Sequence, residues 1–490
     1  MSFRDLRLPK SNTLLAAAVG TTGGGGLVLA SGFVSPLLAG LAIAGAVIGV
    51  VMLLSPGMAF LLTTAVVPLE RIGRMTSDNN AYTVSLMRIF GVLALGSFLL
   101  HTMVRKRQLK FGKAFLLYTA YTVVGFATLL YTTDRLGSTR AASAILGNLM
   151  FFFLIINVAR SYRLVKLSII VWLVATVLIG LFTMYQWHAG AGAGELALGS
   201  TSERFATVLE DTSEWQDLET IGRATGPTSH AAVYGINLVM TLPFFAFLFK
   251  SHADKRVRAA AAFGAAVVLY NIFLANTRAI VIITGLLIVL FFARGMLRIR
   301  PVTVVALVLL GAVVAAFAPK AVYERVLNPE NYTYKQSGTL RVRFGLWGVG
   351  VDVAKDKWLT GTGIGNQALV PLYIKEPVPE RISLHCEYLE TLVEVGIFGS
   401  LFFFSFLGLM MRRATQAARL FRRVRQTQEQ YWFMVACQLT MLAVLIDGVQ
   451  VDVFHFPLKG WWLVAGLTWV MWEHARSAYA QAVQTAQVAP

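Results

Sequence analysis

The sequence predicts an all-α polytopic membrane protein, with about 12–14 transmembrane helices and a large extracytoplasmic loop. Three observations predict it. Of 490 residues, 56% are hydrophobic and only 14% are charged, far from the balance of a soluble globular chain. Mean hydropathy is +0.64. Apolar runs recur from end to end, each close to the ~20 residues that a helix needs to cross about 30 Å of hydrocarbon.

In chain order the expected spans are 13–31, 33–54, 57–70, 83–103, 113–132, 142–159, 165–187, 231–249, 259–276, 279–293, 302–319, 388–411, 430–449 and 460–473. The first carries TTGGGG, Thr21 to Gly26, and the third is short. Glycines are tolerated in a bilayer because neighbouring helices pack closely on them. No small-residue cleavage site follows the first apolar run, so it is expected to stay as a helix rather than be removed as a signal peptide. The bundle is expected to occupy 1–473, with 474–490 a short cytoplasmic tail. No internal repeat is visible. The two cysteines, Cys386 at a helix mouth and Cys437 inside an apolar run, are not expected to pair.

A formal charge of +18 would suggest nucleic acid in a soluble protein. Here it reads as the basic bias of cytoplasmic loops, and no nucleic-acid partner is expected. With the N-terminus inside, the short inner segments hold 25 Lys and Arg, among them RKRQLKFGK at Arg105–Lys113 and RRATQAARLFRRVR at Arg412–Arg425. The short outer segments hold 8. Both termini are therefore expected in the cytoplasm. The two large outer loops are then 188–230, which opens Gly-rich and acidic, and 320–387, rich in aromatics, prolines and glycines.

Cations in or beside spans are costly, about 2.5–3.5 kcal/mol for an arginine at the bilayer centre, and so mark candidate sites. Arg88 in SLMRIFG lies one to two turns below the outer face of its span. Arg278 in LANTRAIVIITG stands at an outer junction between spans, and Arg223 in GRATGPTSHAAVYG just before the start of another. Arg341 and Arg343 in GTLRVRFGLWG belong to the long outer loop. Singly, an arginine at a helix mouth is more often an interface anchor. Arg223 and Arg278, however, are flanked by Gly, Thr, Asn and Ser, which let a ligand approach, and a guanidinium suits bidentate phosphate binding.

The stretch SLHCEYLETLVEVGIFGS, Ser383 to Ser400, adds a histidine on the same side. If a helix begins at Glu387, then Glu387, Glu390 and Glu394 share a face, and His385 continued onto that wheel points about 200° away. A zinc helix needs a second histidine at i+4; none stands near, and His230 and His455 lie on other outer segments. No metal or cofactor is expected, so activity should survive EDTA. The glutamates read as structural partners of cations. His385 suits proton abstraction from a hydroxyl at neutral pH, and nearby cations favour its neutral form.

The segment LHCEYLETLVEVGIFG resembles the H-N-x-Y-L-x-x-L-x-E-x-G-x-x-G signature of the O-antigen ligase and polymerase superfamily. GRATGPTSHAAVYGINLVMTLP is similar to that family's R-x-x-G span opening, and LANTRAIVIITGLL to its S/T-R-[AG] start. RFGLWGVGVDVAKDKWLTGTGIGN resembles its R-x-x-x-W…P-x-x-G-x-G stretch. The four occur in the family's order over about 223–400. Cys386 replaces the usual Asn, Trp358 takes the Pro position, and His230 stands where Asn is common.

The resemblance implies a GT-C-like bundle in the bacterial inner membrane. It implies an inverting, metal-independent glycosyltransferase that takes a glycan from undecaprenyl pyrophosphate at the periplasmic face. By carry-over Arg223 and Arg278 hold the pyrophosphate, with Arg88 and Arg343 as weaker candidates, and His385 is the base for the acceptor hydroxyl or orients it. Arg341, Glu390 and His230 are supporting candidates. Loop 320–387 forms a lid or acceptor wall. The acceptor is lipid A–core for a ligase, or a second lipid-linked glycan for a polymerase; the clear histidine signature tips the reading to a ligase. A transporter or flippase, the reading from another class, would place ionisable residues near the midplane, often in repeated halves.

Overall fold

Prolines and short polar side chains set the starts of the apolar helices. The computed structural model describes residues 36–69, 85–106, 108–189, 224, 226–228, 231–297, 305, 309, 338–368, 370–373, 383–451 and 458–488. Helices α1 (Pro36–Leu54) and α2 (Pro56–Ala65) each open on proline, whose missing N–H would have no intrahelical partner there. Ser55 caps α2 by accepting the Met58 N–H at 3.4 Å. Helix α3 (Leu86–Val104) is capped by Ser85, which accepts the Arg88 N–H. Helix α4 (Lys113–Ala127) runs into a 3-10 turn at Thr128–Leu130, and α5 (Arg135–Val158) starts on Asp134, whose Oδ1 accepts the Gly137 N–H at 3.0 Å. Each such cap satisfies a donor that the helix itself leaves open.

The chain continues through α6 (Tyr162–Ala189), α7 (Ala231–Val239), α8 (Leu242–Ser251), α9 (Lys255–Ala275), α10 (Arg278–Ala293), α11 (Gly338–Asp356), α12 (Glu387–Arg423), α13 (Gln428–Asp447) and α14 (Lys459–Val488). Among the described residues, eight helical stretches are long and apolar enough to cross a membrane. The fold is an all-α, multi-pass helical architecture, as composition implied.

Several boundaries differ from expectation, each for a physical reason. The third span shortens to the ten residues of α2. The span expected at 231–249 is two helices, because Pro243 cannot donate and Phe244 N–H turns to Thr241 O at 3.0 Å. The Met240 carbonyl released there accepts the Thr440 hydroxyl of α13 at 3.0 Å, so the break is satisfied by a neighbour. The basic run 412–423, read as loop, extends α12 in helical form, with Ala414, Ala417, Ala418 and Phe421 buried. Most of the expected tail is likewise helix, since α14 reaches Val488. The first expected span, most of 302–319 and most of loop 188–230 lie outside the described residues.

Helix α12 packs against α4, α13 and α14 through aromatic side chains. Tyr118 meets Trp462 at 4.4 Å between ring centroids, Phe406 stacks on Trp462 at 5.5 Å, and Tyr121 meets Phe403 at 4.9 Å. In lipid, such van der Waals packing drives helix association, because burial from water is not available.

Helix α12 is broken where the sequence reads EVGIFG. Gly396 has φ 63° and ψ −169° inside it, a conformation that an L side chain resists. The Val393 and Glu394 carbonyls left open by the break accept the N–H groups of Thr362 and Gly363, both at 2.9 Å, and Ile397 N–H donates to Trp358 O at 2.8 Å. The glycine loop TGTGIGN therefore completes the backbone bonding of a broken membrane helix. A Cβ on Gly361 would stand 2.3 Å from Glu394 O, and one on Gly396 2.4 Å from Leu359 O. Side chains fit at neither position.

Candidate active site

The site is built where the glycine loop, the break in α12 and the start of α5 meet. The loop is tied to the α4–α5 junction: Ile364 N–H donates to Thr128 Oγ1 at 3.0 Å, and Asn366 Nδ2 donates to Thr133 Oγ1 at 3.1 Å. The Tyr131 hydroxyl donates to Thr360 O.

His385 sits just before α12 in the left-handed region, with φ 51°, which is uncommon for a residue other than glycine. Three contacts hold it there. Leu384, 1% exposed, is plugged into a small apolar cluster with Leu346, Val353 and Val393. The Leu384 carbonyl accepts the Trp347 indole N–H at 3.0 Å. The His385 N–H donates to Ser383 Oγ at 3.1 Å, and the histidine side chain is exposed. Next in the chain, Glu387 N–H donates to Gly448 O at 2.9 Å, and the Tyr388 hydroxyl donates to Leu445 O, so the start of α12 is tied to the end of α13.

This corrects the wheel geometry. The helix does begin at Glu387, but His385 is left-handed and off the wheel, so the 200° reckoning does not apply to it. Instead a polar chain joins its backbone N–H to one glutamate. Ser383 Oγ, which accepts from His385, donates to Glu390 Oε2 at 3.1 Å, and Gln367 Nε2 approaches Glu390 Oε1 at 3.5 Å. Glu387, Glu390 and Glu394 are all buried.

Gln367 leads into a cavity of about 570 Å³ between α3, α5 and the start of α14. Its polar lining includes Arg88, Arg140, Lys459, Asp134, Glu394 and Gln367. Arg88, Arg140 and Lys459 are half-buried, and the Lys459 ammonium donates to Asn148 Oδ1 on α5. The helix N-termini of α3, α5 and α14 reinforce the positive potential here. Among the described residues, no group of three His, Cys, Asp or Glu side chains is arranged to hold a metal ion.

Of the residues singled out by sequence, Arg88 lines this cavity; Glu390 borders it through Gln367, and the His385 backbone N–H is joined to Glu390 by Ser383. Arg278 opens α10 beside Asn276, which is left-handed at φ 45°, and is exposed; it is not part of the cavity wall. Arg343 lies one turn before Trp347 on α11, half-buried and within the field of Asp447, also outside the wall. Arg341 belongs to the same helix. Arg223 and His230 lie outside the described residues; the neighbour Ala224 donates its N–H to Leu274 O at 3.0 Å, at the end of α9.

Sequence reasoning missed Arg140, Lys459 and Gln367. Arg140 was placed two residues ahead of a span that in fact starts at Arg135, and Lys459 was counted as an ordinary outer loop cation. The signal for Lys459 is its place immediately before GWWLVAG, where the chain turns into apolar helix.

In comparison with known families, residues 263–404 match the model of the family described as O-antigen ligase. The match spans Arg278, Arg343, the glycine loop, Glu390 and His385, and it bears out the superfamily read from the four motifs. No protein of curated function matches the chain.

Proposed function

We propose that the protein is an inverting, metal-independent glycosyltransferase acting at the periplasmic face of the bacterial inner membrane. It moves a glycan from undecaprenyl pyrophosphate to an acceptor hydroxyl, and its acceptor is lipid A–core, which makes it an O-antigen ligase. The observation that carries this reading is the polar chain from the His385 backbone N–H through Ser383, Glu390 and Gln367 to a cationic cavity, which fixes the residue that bears the imidazole. It lies within and beside the segment that matches the ligase family.

The chemistry follows from those groups. The acceptor hydroxyl attacks the anomeric carbon on the face opposite the pyrophosphate, and its proton passes to the His385 imidazole. The bond from the anomeric carbon to the pyrophosphate oxygen breaks, and configuration inverts. Negative charge grows on the departing pyrophosphate, which Arg223 and Arg278 are proposed to stabilise, with Arg88 and Arg343 as further candidates for the same role. The left-handed backbone at His385 sets the direction from which its imidazole extends.

The test is reconstitution of the purified protein in liposomes with a defined lipid-linked glycan, offered lipid A–core or a second lipid-linked glycan separately. Transfer to lipid A–core with inverted configuration is expected. Growth on the second lipid-linked glycan alone would make the protein a polymerase. No covalent product with either acceptor would overturn the enzymatic reading.

A further inference from the structure

Helix α11 presents three faces of different character. Leu346, Gly350 and Val353 lie within about 60° of one another on its wheel and pack on the segment before α12. Leu346 and Val353 are buried with Leu384 and Val393, and a Cβ on Gly350 would stand 2.8 Å from both Leu384 and Leu389. A second face is polar. Asp352 and Asp356 are exposed there; Asp352 pairs with Lys355 at 2.9 Å, and Asp356 accepts the Tyr373 hydroxyl at 3.1 Å. The third face is apolar and uncovered. Phe344 is 62% exposed, and Val351, two turns on and about 20° round the wheel, is 44% exposed. A Cβ added to Gly345 or Gly348 would meet nothing within 4 Å. Just past the end of the helix, Trp358 is 58% exposed and Leu359 43%.

An exposed apolar stripe of this kind marks an interaction surface, and what lies beside it is lipid-facing helix. The Trp358 carbonyl accepts the Ile397 N–H at 2.8 Å. Ile397 and Phe398, exposed on the membrane-crossing helix α12, face lipid. On the other side the Tyr131 hydroxyl donates to the Thr360 carbonyl, and the neighbouring Leu130 is exposed at the end of the α4 span. Trp358 therefore joins the stripe of α11 to the lipid-facing surfaces of α12 and α4. Helix α12 also gives its depth. Sixteen residues separate Ile397 from Arg413, whose guanidinium lies 3.9 Å from the Trp472 ring centroid at the far end of the bundle. At 1.5 Å per residue that is about 24 Å, against about 30 Å of hydrocarbon. Trp358 thus stands near the boundary between acyl chains and headgroups, where tryptophan is favoured.

We propose that α11 is an interfacial helix whose partner is the bilayer surface at the His385 end of the bundle. The stripe of Phe344, Val351 and Trp358 sinks into the boundary between headgroups and acyl chains, by about 5–10 Å as such helices do. Asp352 and Asp356, about 80° and 120° round the wheel from Phe344, face water. Lys355 falls within the stripe, where its stem covers apolar surface while its ammonium stays wet. The face turned away from the stripe packs on Leu384, whose carbonyl accepts the Trp347 indole N–H at 3.0 Å. The segment before His385 is thereby fastened to the membrane surface through one helix. This seating of α11 holds whether or not the protein transfers a glycan.

The experiment is spin labelling of the full-length protein in nanodiscs. In a background of Cys386→Ser and Cys437→Ala, one cysteine at a time is introduced. Phe344→Cys, Val351→Cys and Trp358→Cys sample the stripe; Asp352→Cys and Asp356→Cys sample the polar face. Power saturation compares collisions with oxygen, which concentrates among acyl chains, and with a water-soluble nickel chelate. The stripe labels should favour oxygen over nickel several-fold more than the polar-face labels do. Equal ratios on the two faces would overturn the proposal. So would stripe labels that stay open to nickel until a soluble glycan is added, since the stripe would then be a sugar platform. A second measurement needs no label. Phe344→Glu with Val351→Glu should speed backbone amide exchange along α11 several-fold in nanodiscs, with exchange in α4 and α5 unchanged. Exchange along α11 as slow as in the unsubstituted protein would overturn the proposal, because glutamates on a face already open to water change little.

Discussion

The two ends of the bundle are both rich in cations but use them differently. At the end that holds Lys110 and Glu473, cations close onto partners. Lys110 pairs with Glu473 at 2.5 Å and Lys166 with Glu429 at 2.7 Å. Arg413 lies 3.9 Å from the Trp472 ring centroid and Lys250 5.0 Å from that of Trp432. These contacts anchor helix ends at an interface. At the His385 end, Arg88, Arg140 and Lys459 surround a cavity, and a polar chain leads from it to a histidine in left-handed conformation. The number of charges does not distinguish a site from an anchor. What the charges surround does.

Substitutions at the two ends should separate accordingly, and the largest effect is expected at His385. His385→Ala should lower transfer by about 10²–10⁴-fold, the usual contribution of general base catalysis, with insertion into the membrane unchanged. Gly396→Ala comes next and acts through the fold. It forces a side chain into positive φ and against Leu359 O, so folded yield and melting temperature should fall by an amount set by at least about 1–3 kcal/mol. A variant with wild-type melting temperature would contradict the account of the α12 break.

Arg278→Lys keeps the charge but loses the guanidinium fork, and transfer should fall about tenfold. Retained activity would return Arg278 to the class of interface anchors. Glu390→Gln keeps the size of the side chain while weakening acceptance from Ser383. Transfer should fall by less than for Arg278→Lys, in kcat more than in KM, because His385 is held less well rather than removed. The smallest effect belongs to the opposite end. Lys110→Ala should change stability by no more than about 1 kcal/mol, since the pair with Glu473 is solvent-exposed, and should leave transfer unchanged. A large loss of transfer there would break the contrast between the ends.

The fold class was legible in composition and hydropathy because the bilayer imposes a length and an apolar character on every crossing helix. The histidine and its family motif were legible because they form a continuous stretch. The break in α12 was half legible. Glycines at Gly361 and Gly396 were visible, but their pairing depends on two segments 35 residues apart that meet only in the folded chain. The link from His385 to Glu390 was hidden by extending a helical wheel past the start of the helix. Arg140 and Lys459 were hidden for a similar reason. Hydropathy places a charge in or out of a span, but which helices bring their charges around one cavity is a matter of packing.

The central claim is that His385 removes a proton from an acceptor held at this end of the bundle. The most direct measurement is the single-turnover rate of glycan transfer by His385→Ala in liposomes, with binding of the lipid-linked donor measured on the same preparation. The predicted result is wild-type donor binding with transfer slowed at least about 100-fold. Transfer within a few-fold of wild type, with donor binding intact, would contradict it.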